Sequence, residues 1–297
     1  MNNILVSVVI PSYKGANVVK RAVDSVLSQT YRNIEVVVVD DNGIGTEEQK
    51  RTSDIMRSYQ GDDRVKYVCH ERNKNGSAAR NTGCANSSGD YIAYLDDDDV
   101  FLESKIERQV ALLNSLPSDY AFVYCAHETY IGEKYVGRNH AVTSGSILFE
   151  CLSHKCEIAS SSILIRKVVV NDIGGWDESF QRHQDWEFVD RIAAEYKIMA
   201  DDFIGFRRIV LKRNHAKTPE VSKQYRNHYL KKMSPYIHML TEDQQIEVYV
   251  YNRMTVALDF IKSKRLWSFC KEVREIGYFP ECVSFLIKRI KRKTKSK

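Results

Sequence analysis

Ile34-Glu35-Val36-Val37-Val38-Val39-Asp40-Asp41 is the stretch that decides the fold. Five of its first six residues are apolar, and such a run is typical of a strand that is buried on both faces in a parallel sheet. Two carboxylates follow the strand at once. Open α/β sheets bind their ligands at the carboxyl ends of such strands, so this stretch also predicts where a functional site lies.

The sequence on either side repeats the pattern of strand followed by helix. Short apolar runs predict strands at 4–10, 65–69 and 91–95, with helices between them. This alternation predicts a mostly parallel sheet with right-handed crossovers. The polar residues that end the strands should therefore meet in one cleft: Pro11, Ser12, Tyr13, Asp40, Asp41, Arg72 and Asp96 to Asp99.

Four adjacent aspartates, Asp96 to Asp99, follow the strand at 91–95. Like charges this close raise one another's pKa. A divalent cation is the usual compensation, because Mg²⁺ and Mn²⁺ take oxygen ligands and bridge to substrate phosphates. The alternative is a solvated acidic turn in which Asp99 helps to cap the following helix.

Composition sets broad limits on the class of protein. The 297 residues are 43% hydrophobic and 28% charged, enough to bury the core of a large α/β domain with an additional region. No segment approaches the roughly 20 apolar residues that cross a bilayer, and the first residues lack the features of a signal peptide. We therefore expect a cytoplasmic protein. The seven cysteines include no CxxC pair, which disfavours a zinc site or a disulfide framework.

The pattern is less regular after residue 100. Helices are predicted at 104–116 and 186–196 and strands at 120–124 and 162–165, whereas 131–157 carries no clear pattern.

Strand signals fade near residue 220. We therefore expect a catalytic α/β domain over 1–219 and a helical region over 220–297. Charge is also uneven, since seven basic residues and one acidic residue lie between Glu281 and Lys297. The net charge of +5 consequently belongs to this end of the chain.

Two common nucleotide-binding motifs are absent. There is no G-x-G-x-x-G after the first strand and no G-x-x-x-x-G-K-[ST], so a phosphate-bearing ligand would need a metal and arginine instead. Two roles are open for Asp40: it accepts from a nucleobase or ribose, or it ends the strand in an Asp-Asp-Asn-Gly turn. Arg72 and Arg80 are candidates for pairing with phosphate or stacking on a base, or are ordinary surface charges.

Asp185 is the candidate general base. A carboxylate within hydrogen-bond reach can take the proton of an attacking hydroxyl. Its alternative role is that of an N-cap or first-turn acid, which the helix dipole favours. His215, in a basic loop, is a candidate metal ligand or diphosphate contact, although an exposed loop histidine is the more common case.

The order of these motifs resembles that of family 2 glycosyltransferases with the GT-A fold. The resemblance covers about residues 4–220. Six motifs carry it: Val8-Val9-Ile10-Pro11-Ser12-Tyr13, Val38-Val39-Asp40-Asp41, Ala79-Arg80-Asn81-x-Gly83, Leu95-Asp96-Asp97-Asp98-Asp99, Gly174-Gly175-Trp176-Asp177-Glu178 and Gln184-Asp185-Trp186-Glu187. It implies a GT-A type, Rossmann-like, mostly parallel sheet flanked by helices, with a C-terminal helical extension. It also implies an inverting enzyme that uses a nucleoside-diphosphate sugar and Mn²⁺ or Mg²⁺.

The resemblance also implies roles by position. Asp98 matches the principal metal ligand of the D-x-D motif, and Asp185 matches the catalytic base. Gln184 departs from the family pattern, which has Glu before the base. The residues matched to nucleotide-sugar binding are Pro11, Ser12, Tyr13, Asp40 (which reads the base, usually uracil), Arg72, Arg80, Asp96 and Asp97.

An amphipathic pattern closes the chain. Phe279, Val283, Leu286, Ile287 and Ile290 recur on one face of a predicted helix whose end is basic. This is typical of an interfacial helix attracted to anionic lipid, and a helix packed on the body with a solvated tail is the alternative. Nucleic-acid binding is disfavoured because the positive charge is confined to one terminus.

The sequence therefore predicts a metal-dependent inverting glycosyltransferase, specifically a hexosyltransferase. It would move a sugar from a UDP-sugar to a hydroxyl of a glycan or lipid-linked saccharide in bacterial surface polysaccharide synthesis, in the cytoplasm or on the inner face of the cell membrane. One alternative is a sugar-phosphate nucleotidyltransferase. Such an enzyme would need a Gly-rich N-terminal loop with basic residues, and only Lys14-Gly15 is present. The other is a non-catalytic glycan-binding protein of the same fold, against which Asp98 and Asp185 argue.

Overall fold

The computed structural model describes residues 4–211 and 218–295, with side chains up to residue 290. The chain forms two compact units. Unit 1 comprises Met1–Ile147 and Cys156–Lys212, and unit 2 comprises Leu148–Lys155 and Arg213–Lys297.

Nine strands lie in the described part of unit 1: β1 (Val6–Ser12), β2 (Ile34–Asp40), β3 (Val65–Cys69), β4 (Tyr91–Tyr94), β5 (Val100–Phe101), β6 (Tyr120–Ile131), β7 (Lys134–Arg138), β8 (Ile163–Arg166) and β9 (Lys197–Val210). They form one sheet in the order β3-β2-β1-β4-β8-β6-β9-β5, with β7 beside β6. The pairings of β3, β2, β1 and β4 are parallel, as are β6 and β9, whereas β8, β5 and β7 pair antiparallel.

Helices in unit 1 are α1 (Val19–Leu27), α2 (Glu47–Met56), α3 (Gly76–Ala85), α4 (Lys105–Ser115), α6 (Lys167–Asp172) and α7 (Gln184–Glu195). Those in unit 2 are α5 (Leu148–Leu152), α8 (Pro219–Ile237), α9 (Glu242–Lys262), α10 (Leu266–Ile276) and α11 (Phe279–Lys295). Single 3₁₀ turns occupy Arg57–Tyr59 and Ser160–Ser162.

The parallel half of the sheet is buried as its apolar runs require. All seven residues of β2 are buried, and α3 packs so closely on β1 that a Cβ at Gly83 would lie 2.2 Å from Val9 Cγ1. Ser12 is in register with Asp40, and Val9 with Tyr94. The carboxyl ends of these strands therefore open at one edge, as the sequence predicted.

The part of the sheet that contains β5 to β9 differs most from expectation. β6 runs seven residues beyond its predicted end at 124, and β9 was not predicted. β6 and β9 pair side by side from Tyr120 to Ile131. Their stability comes from this long-range pairing, which local sequence periodicity does not encode.

Unit 2 has a small apolar core between its helices. Val250, Met254, Ala257, Ile276 and Cys282 are buried together. α9 begins with a capping box formed by Thr241 and Gln244, a device that satisfies two orphan N–H groups of the first turn. Within residues 4–211 and 218–295, the helices are all too short or too polar to cross a membrane.

Candidate active site

The first part of the site is the junction between β1 and the aspartate run. Ser12 Oγ donates to Asp97 Oδ2 at 2.9 Å, and both residues are buried. A Cβ at Gly15 would lie 1.8 Å from Asp97 Oδ2, so no larger residue fits beside this contact. Tyr13 follows with 44% of its surface exposed. Asp97 therefore ties the aspartate run to the end of β1, and Tyr13 is available at the surface.

Asp40 lies fully buried at the end of β2. Its Oδ1 accepts from the N–H and the amide of Asn42 at 2.9 and 2.8 Å, and its Oδ2 accepts from the Tyr67 hydroxyl at 2.6 Å. Burial first, and then the bond to Asp40, raise the pKa of Tyr67, which stays protonated. A carboxylate offers about four acceptor positions, so this network leaves room for one further donor.

The next aspartate holds the loop that carries Arg72. Asp41 accepts from His70 Nδ1 at 2.7 Å and from Asn73 Nδ2 at 2.8 Å. The N–H groups of Lys74 and Asn75 also donate to it, at 2.7 and 2.9 Å. Arg72 itself is exposed. Four bonds to one carboxylate thus shape the approach to α3 and leave the Arg72 side chain at the surface.

The remaining aspartates of the run face different partners. Asp99 is buried and accepts from Ser161 Oγ at 2.7 Å and from the Ile209 N–H at 3.1 Å. Burial, with Asp96 and Asp98 nearby, raises the pKa of Asp99. It does not cap α4, whose N-cap is Ser104. Asp98 is half-buried, and its carbonyl accepts from Arg21 Nη2 at 2.9 Å.

Arg80 joins the aspartate run to the start of α7. Its Nη2 donates to Asp96 Oδ1 at 2.7 Å, and its Nη1 donates to Gln184 Oε1 at 3.0 Å. The guanidinium lies over the Trp176 ring, 4.7 Å from its centroid. Planar stacking and a forked donor set are the particular capacities of arginine. Arg80 is therefore a fixed, buried cation in the middle of the site.

The Gly174–Glu178 turn is held by the residue after Arg80. Asn81 Nδ2 donates to the Trp176 carbonyl at 2.9 Å, and its Oδ1 accepts from the Trp176 N–H at 2.8 Å. Gly175 has φ of 74° and packs on Asn81, so a side chain there would be strained. Asn81 therefore joins two sequence motifs that lie 95 residues apart in the chain.

Asp185 is the second residue of α7, after His183 in the left-handed conformation. Its role in the helix is that of a first-turn acid rather than an N-cap. Its Oδ1 accepts from the Trp186 N–H at 3.1 Å. Burial raises the pKa of Asp185, the positive charge of Arg80 opposes this, and Asp96 adds to it. A carboxylate with a raised pKa and few donors is suited to receive a proton.

The aspartate run suits a divalent ion that is only partly held by protein. In the part of the chain that the structure describes, no three His, Cys, Asp or Glu side chains are grouped to hold an ion. Mg²⁺ commonly binds through one or two carboxylates and completes its shell with substrate phosphates and water. Asp98 fits that chemistry only with a diphosphate present. His215 lies outside the described residues.

The structure therefore brings Ser12, Asp96, Asp97, Arg80 and Asp185 into one connected region. The sequence did not indicate the contributions of Gly15, Tyr67, Ser160 and Ser161. Ser160 Oγ donates to Asp96 at 3.3 Å, and the Asp96 N–H donates to Ser161 Oγ at 3.1 Å. The two serines could not be recognised as site residues from the sequence, because serine is common in segments without a clear pattern.

Comparison with known proteins gives a consistent result. The profile described as Glycosyl transferase family 2 matches residues 7–173. A relative described as an uncharacterized glycosyltransferase of Rickettsia felis is 31% identical over 258 residues, which are 82% of this chain and 40% of that protein. The chain thus spans less than half the length of that relative.

Two further proteins with similarity to this chain have specific names. UDP-Glc:alpha-D-GlcNAc-diphosphoundecaprenol beta-1,3-glucosyltransferase WfgD of Escherichia coli is 30% identical over 171 residues, 58% of this chain and 64% of WfgD. The mannosyltransferase PcManGT from Pyrobaculum calidifontis, solved with GDP-Man and Mn²⁺, superposes with a TM-score of 0.61 at 13% identity, over 97% of this chain and 80% of that one. The second likeness concerns the fold alone, and it agrees with the predicted GT-A type α/β architecture.

Proposed function

The chain belongs to glycosyl transferase family 2, and we propose that it is a metal-dependent inverting glycosyltransferase. The observation that carries the proposal is the link from Asp96 through Arg80 to Gln184, the residue before Asp185. One buried cation thereby joins the donor-binding aspartates to the base. A glycosyl transfer needs both functions in the same cleft.

The proposed donor is a UDP-sugar. WfgD is named for UDP-Glc, whereas PcManGT was solved with GDP-Man, so the nucleotide must be tested. Pro11, Ser12 and Tyr13 would form one wall of the nucleotide site, and Asp40 would use its remaining acceptor position for the base. Arg72 and Arg80 would face the diphosphate, while Asp96 and Asp97 would contact ribose and sugar.

In the proposed reaction, Asp185 takes the proton of the acceptor hydroxyl while that oxygen attacks the anomeric carbon. The C–O bond to the diphosphate breaks on the opposite face, so an α-linked donor gives a β-linked product. Arg80 stabilises the negative charge that develops on the leaving diphosphate. A divalent ion on Asp98 would supply further electrostatic stabilisation of that charge.

The role of Asp98 has a direct test. In Asp98→Asn we expect Mn²⁺-dependent turnover to fall about 100-fold, since metal-ion stabilisation contributes several kcal/mol. The variant should melt at the wild-type temperature. Asp54→Asn, which alters an exposed pair with Arg57, is the matched control. Unchanged Mn²⁺-dependent turnover in Asp98→Asn would remove Asp98 as the ligand.

The proposed acceptor is a hydroxyl of a glycan or a lipid-linked saccharide in bacterial surface polysaccharide synthesis. The name of WfgD, which acts on a diphosphoundecaprenol-linked sugar, supports a lipid-linked acceptor. We assign the transferase to residues 1–219 and the helical region to 220–297, and we place the protein in the cytoplasm or at the inner face of the membrane.

Purified protein should be incubated with a panel of UDP- and GDP-sugars and Mn²⁺. A transferase releases nucleoside diphosphate slowly from its own donor and faster with the acceptor. A second incubation, with nucleoside triphosphates and sugar phosphates, tests for a nucleotidyltransferase, which would release pyrophosphate. Absence of release in both incubations would favour a non-catalytic glycan-binding protein.

The proposed membrane contact rests on α11. Phe279, Val283, Ile287 and Ile290 are between 48% and 64% exposed, whereas Leu286 packs on the core of unit 2. One apolar set thus anchors the helix, and a second faces outward. Exposed apolar residues beside basic ones are typical of helices that lie in a lipid interface.

Vesicles test this contact. Each basic residue near an anionic surface contributes about 1 kcal/mol, so Lys288→Glu with Arg289→Glu should weaken binding to anionic vesicles by at least about tenfold. Lys271→Glu with Arg274→Glu on α10 is the control of equal charge. Equal binding by both double variants would assign the effect to overall charge and not to α11.

A further inference from the structure

We propose that Gln184 positions both Arg80 and Asp185. Its amide side chain both accepts and donates a hydrogen bond, whereas an ionised carboxylate at this position could only accept. The inference rests on the proposed function, because it concerns the base and the cation of that reaction. It also accounts for the one departure of this chain from the family pattern, which has Glu before the base.

The hydrogen bonds of Gln184 require one acceptor and one donor. Its Oε1 accepts from Arg80 Nη1 at 3.0 Å, and its Nε2 donates to the Phe180 carbonyl at 2.7 Å. Only the amide side chain offers both groups in this arrangement. An ionised glutamate would bring an oxygen against the Phe180 carbonyl, and the bond that closes the turn before α7 would be lost.

The turn that Gln184 closes sets the direction of Asp185. His183 has φ of 62°, an uncommon backbone conformation for a residue with a side chain. The bond from Gln184 to the Phe180 carbonyl spans this residue and fixes the start of α7. Asp185 follows directly, so its carboxylate depends on the same turn.

Charge gives a second reason for a neutral residue. The charges of Arg80 on α3 and of Asp96 in the loop after β4 both act on Asp185, and Arg80 already pairs with Asp96. A third carboxylate at position 184 would share the same guanidinium. Less positive charge would then act on Asp185 and on a departing diphosphate.

Space around the contact is also restricted. A Cβ on Gly76 would lie 2.8 Å from Gln184 Oε1 and 3.0 Å from Arg80 Nη1. The first residue of α3 is therefore small where the two side chains meet. Gly76→Ala should push Arg80 and Gln184 apart without changing any charge.

The test compares Gln184→Leu, Gln184→Glu and Gly76→Ala, with Gln181→Leu and Gln181→Glu as matched controls at an exposed position. We expect Gln184→Leu and Gly76→Ala to lower kcat about tenfold at every pH, because small displacements of a catalytic group are costly. Gln184→Glu should also move the acid limb of the kcat/KM profile to higher pH, because a like charge raises the pKa of the base.

A second measurement does not depend on turnover. The ¹³C carboxyl signal of Asp185, assigned by its loss in Asp185→Asn, should titrate at higher pH in Gln184→Glu than in wild type and at an unchanged pH in Gln181→Glu. An unshifted titration together with a normal kcat in Gln184→Leu would overturn the inference. A wild-type protein that transfers no sugar would overturn the proposed function, while the titration would still decide the coupling.

Discussion

Asp41 and Asp185 are two carboxylates of unit 1 that the structure treats in opposite ways. Asp41 is 2% exposed and accepts four hydrogen bonds from the loop after β3. The Asp185 carboxylate accepts from the backbone N–H groups of Trp186 and of Asp185 itself, and no side chain within the described ranges donates to it. The first has its acceptor positions filled, and the second keeps them available.

This difference separates a structural carboxylate, Asp41, from the proposed general base, Asp185. A carboxylate whose lone pairs are all used holds a loop in place and cannot easily take a proton. Burying a carboxylate that has few hydrogen-bond donors lowers the stability of the fold. The same burial raises the pKa of the carboxylate and makes it a stronger base. Sequence position does not distinguish them, since each lies beside the end of a strand or the start of a helix.

Removing the proposed base should give the largest effect. In Asp185→Asn we expect kcat to fall about 10²- to 10⁴-fold, the usual range for a general base, with nucleotide affinity and melting temperature close to wild type. Asp172→Asn, at an exposed residue that accepts from the Tyr196 hydroxyl, is the control. A near-normal rate in Asp185→Asn would make the comparison meaningless.

The pH dependence of activity sharpens the same comparison. Burial raises the pKa of Asp185 above its ordinary value, and a proposed base can act only when it is ionised. Activity should therefore be present above this pKa and lost below it, with kcat/KM falling about tenfold per pH unit on the acid side. Initial rates at saturating Mn²⁺ would show the limb, and its absence in Asp185→Asn is the required control.

Much of this arrangement could be predicted from the sequence, for a physical reason. The strands β1, β2 and β4 are buried on both faces, so their apolar runs are continuous and end at polar residues. The parallel register then places those ends side by side. The position of Asp40 and Asp96 at this edge of the sheet could be predicted in this way, because it follows from the strand ends alone.

The rest depends on contacts that local patterns do not contain. β9 carries Asp201-Asp202 and Arg207-Arg208 within a strand of 14 residues, and the polar pairs hide its period. The bond between Arg80 and Gln184 joins residues 104 apart. Gln184, which stands where the family pattern has Glu, thus makes the contact that links α7 through Arg80 to the aspartate run.

Removing the structural acid should give the smallest effect on rate and a clear effect on stability. Asn at position 41 would keep one acceptor oxygen and turn its amide toward N–H groups that now donate to Asp41, so we expect a loss of about 2 kcal/mol in the free energy of unfolding. The loop that carries Arg72 would loosen, and the donor KM should rise a few-fold while kcat stays near wild type. Urea unfolding and steady-state rates measure both, with Asp54→Asn as control. If Asp41→Asn instead lowers kcat as much as Asp185→Asn does at full stability, then Asp41 takes part in the chemistry, and the number of donors around a carboxylate does not distinguish the two roles in this fold.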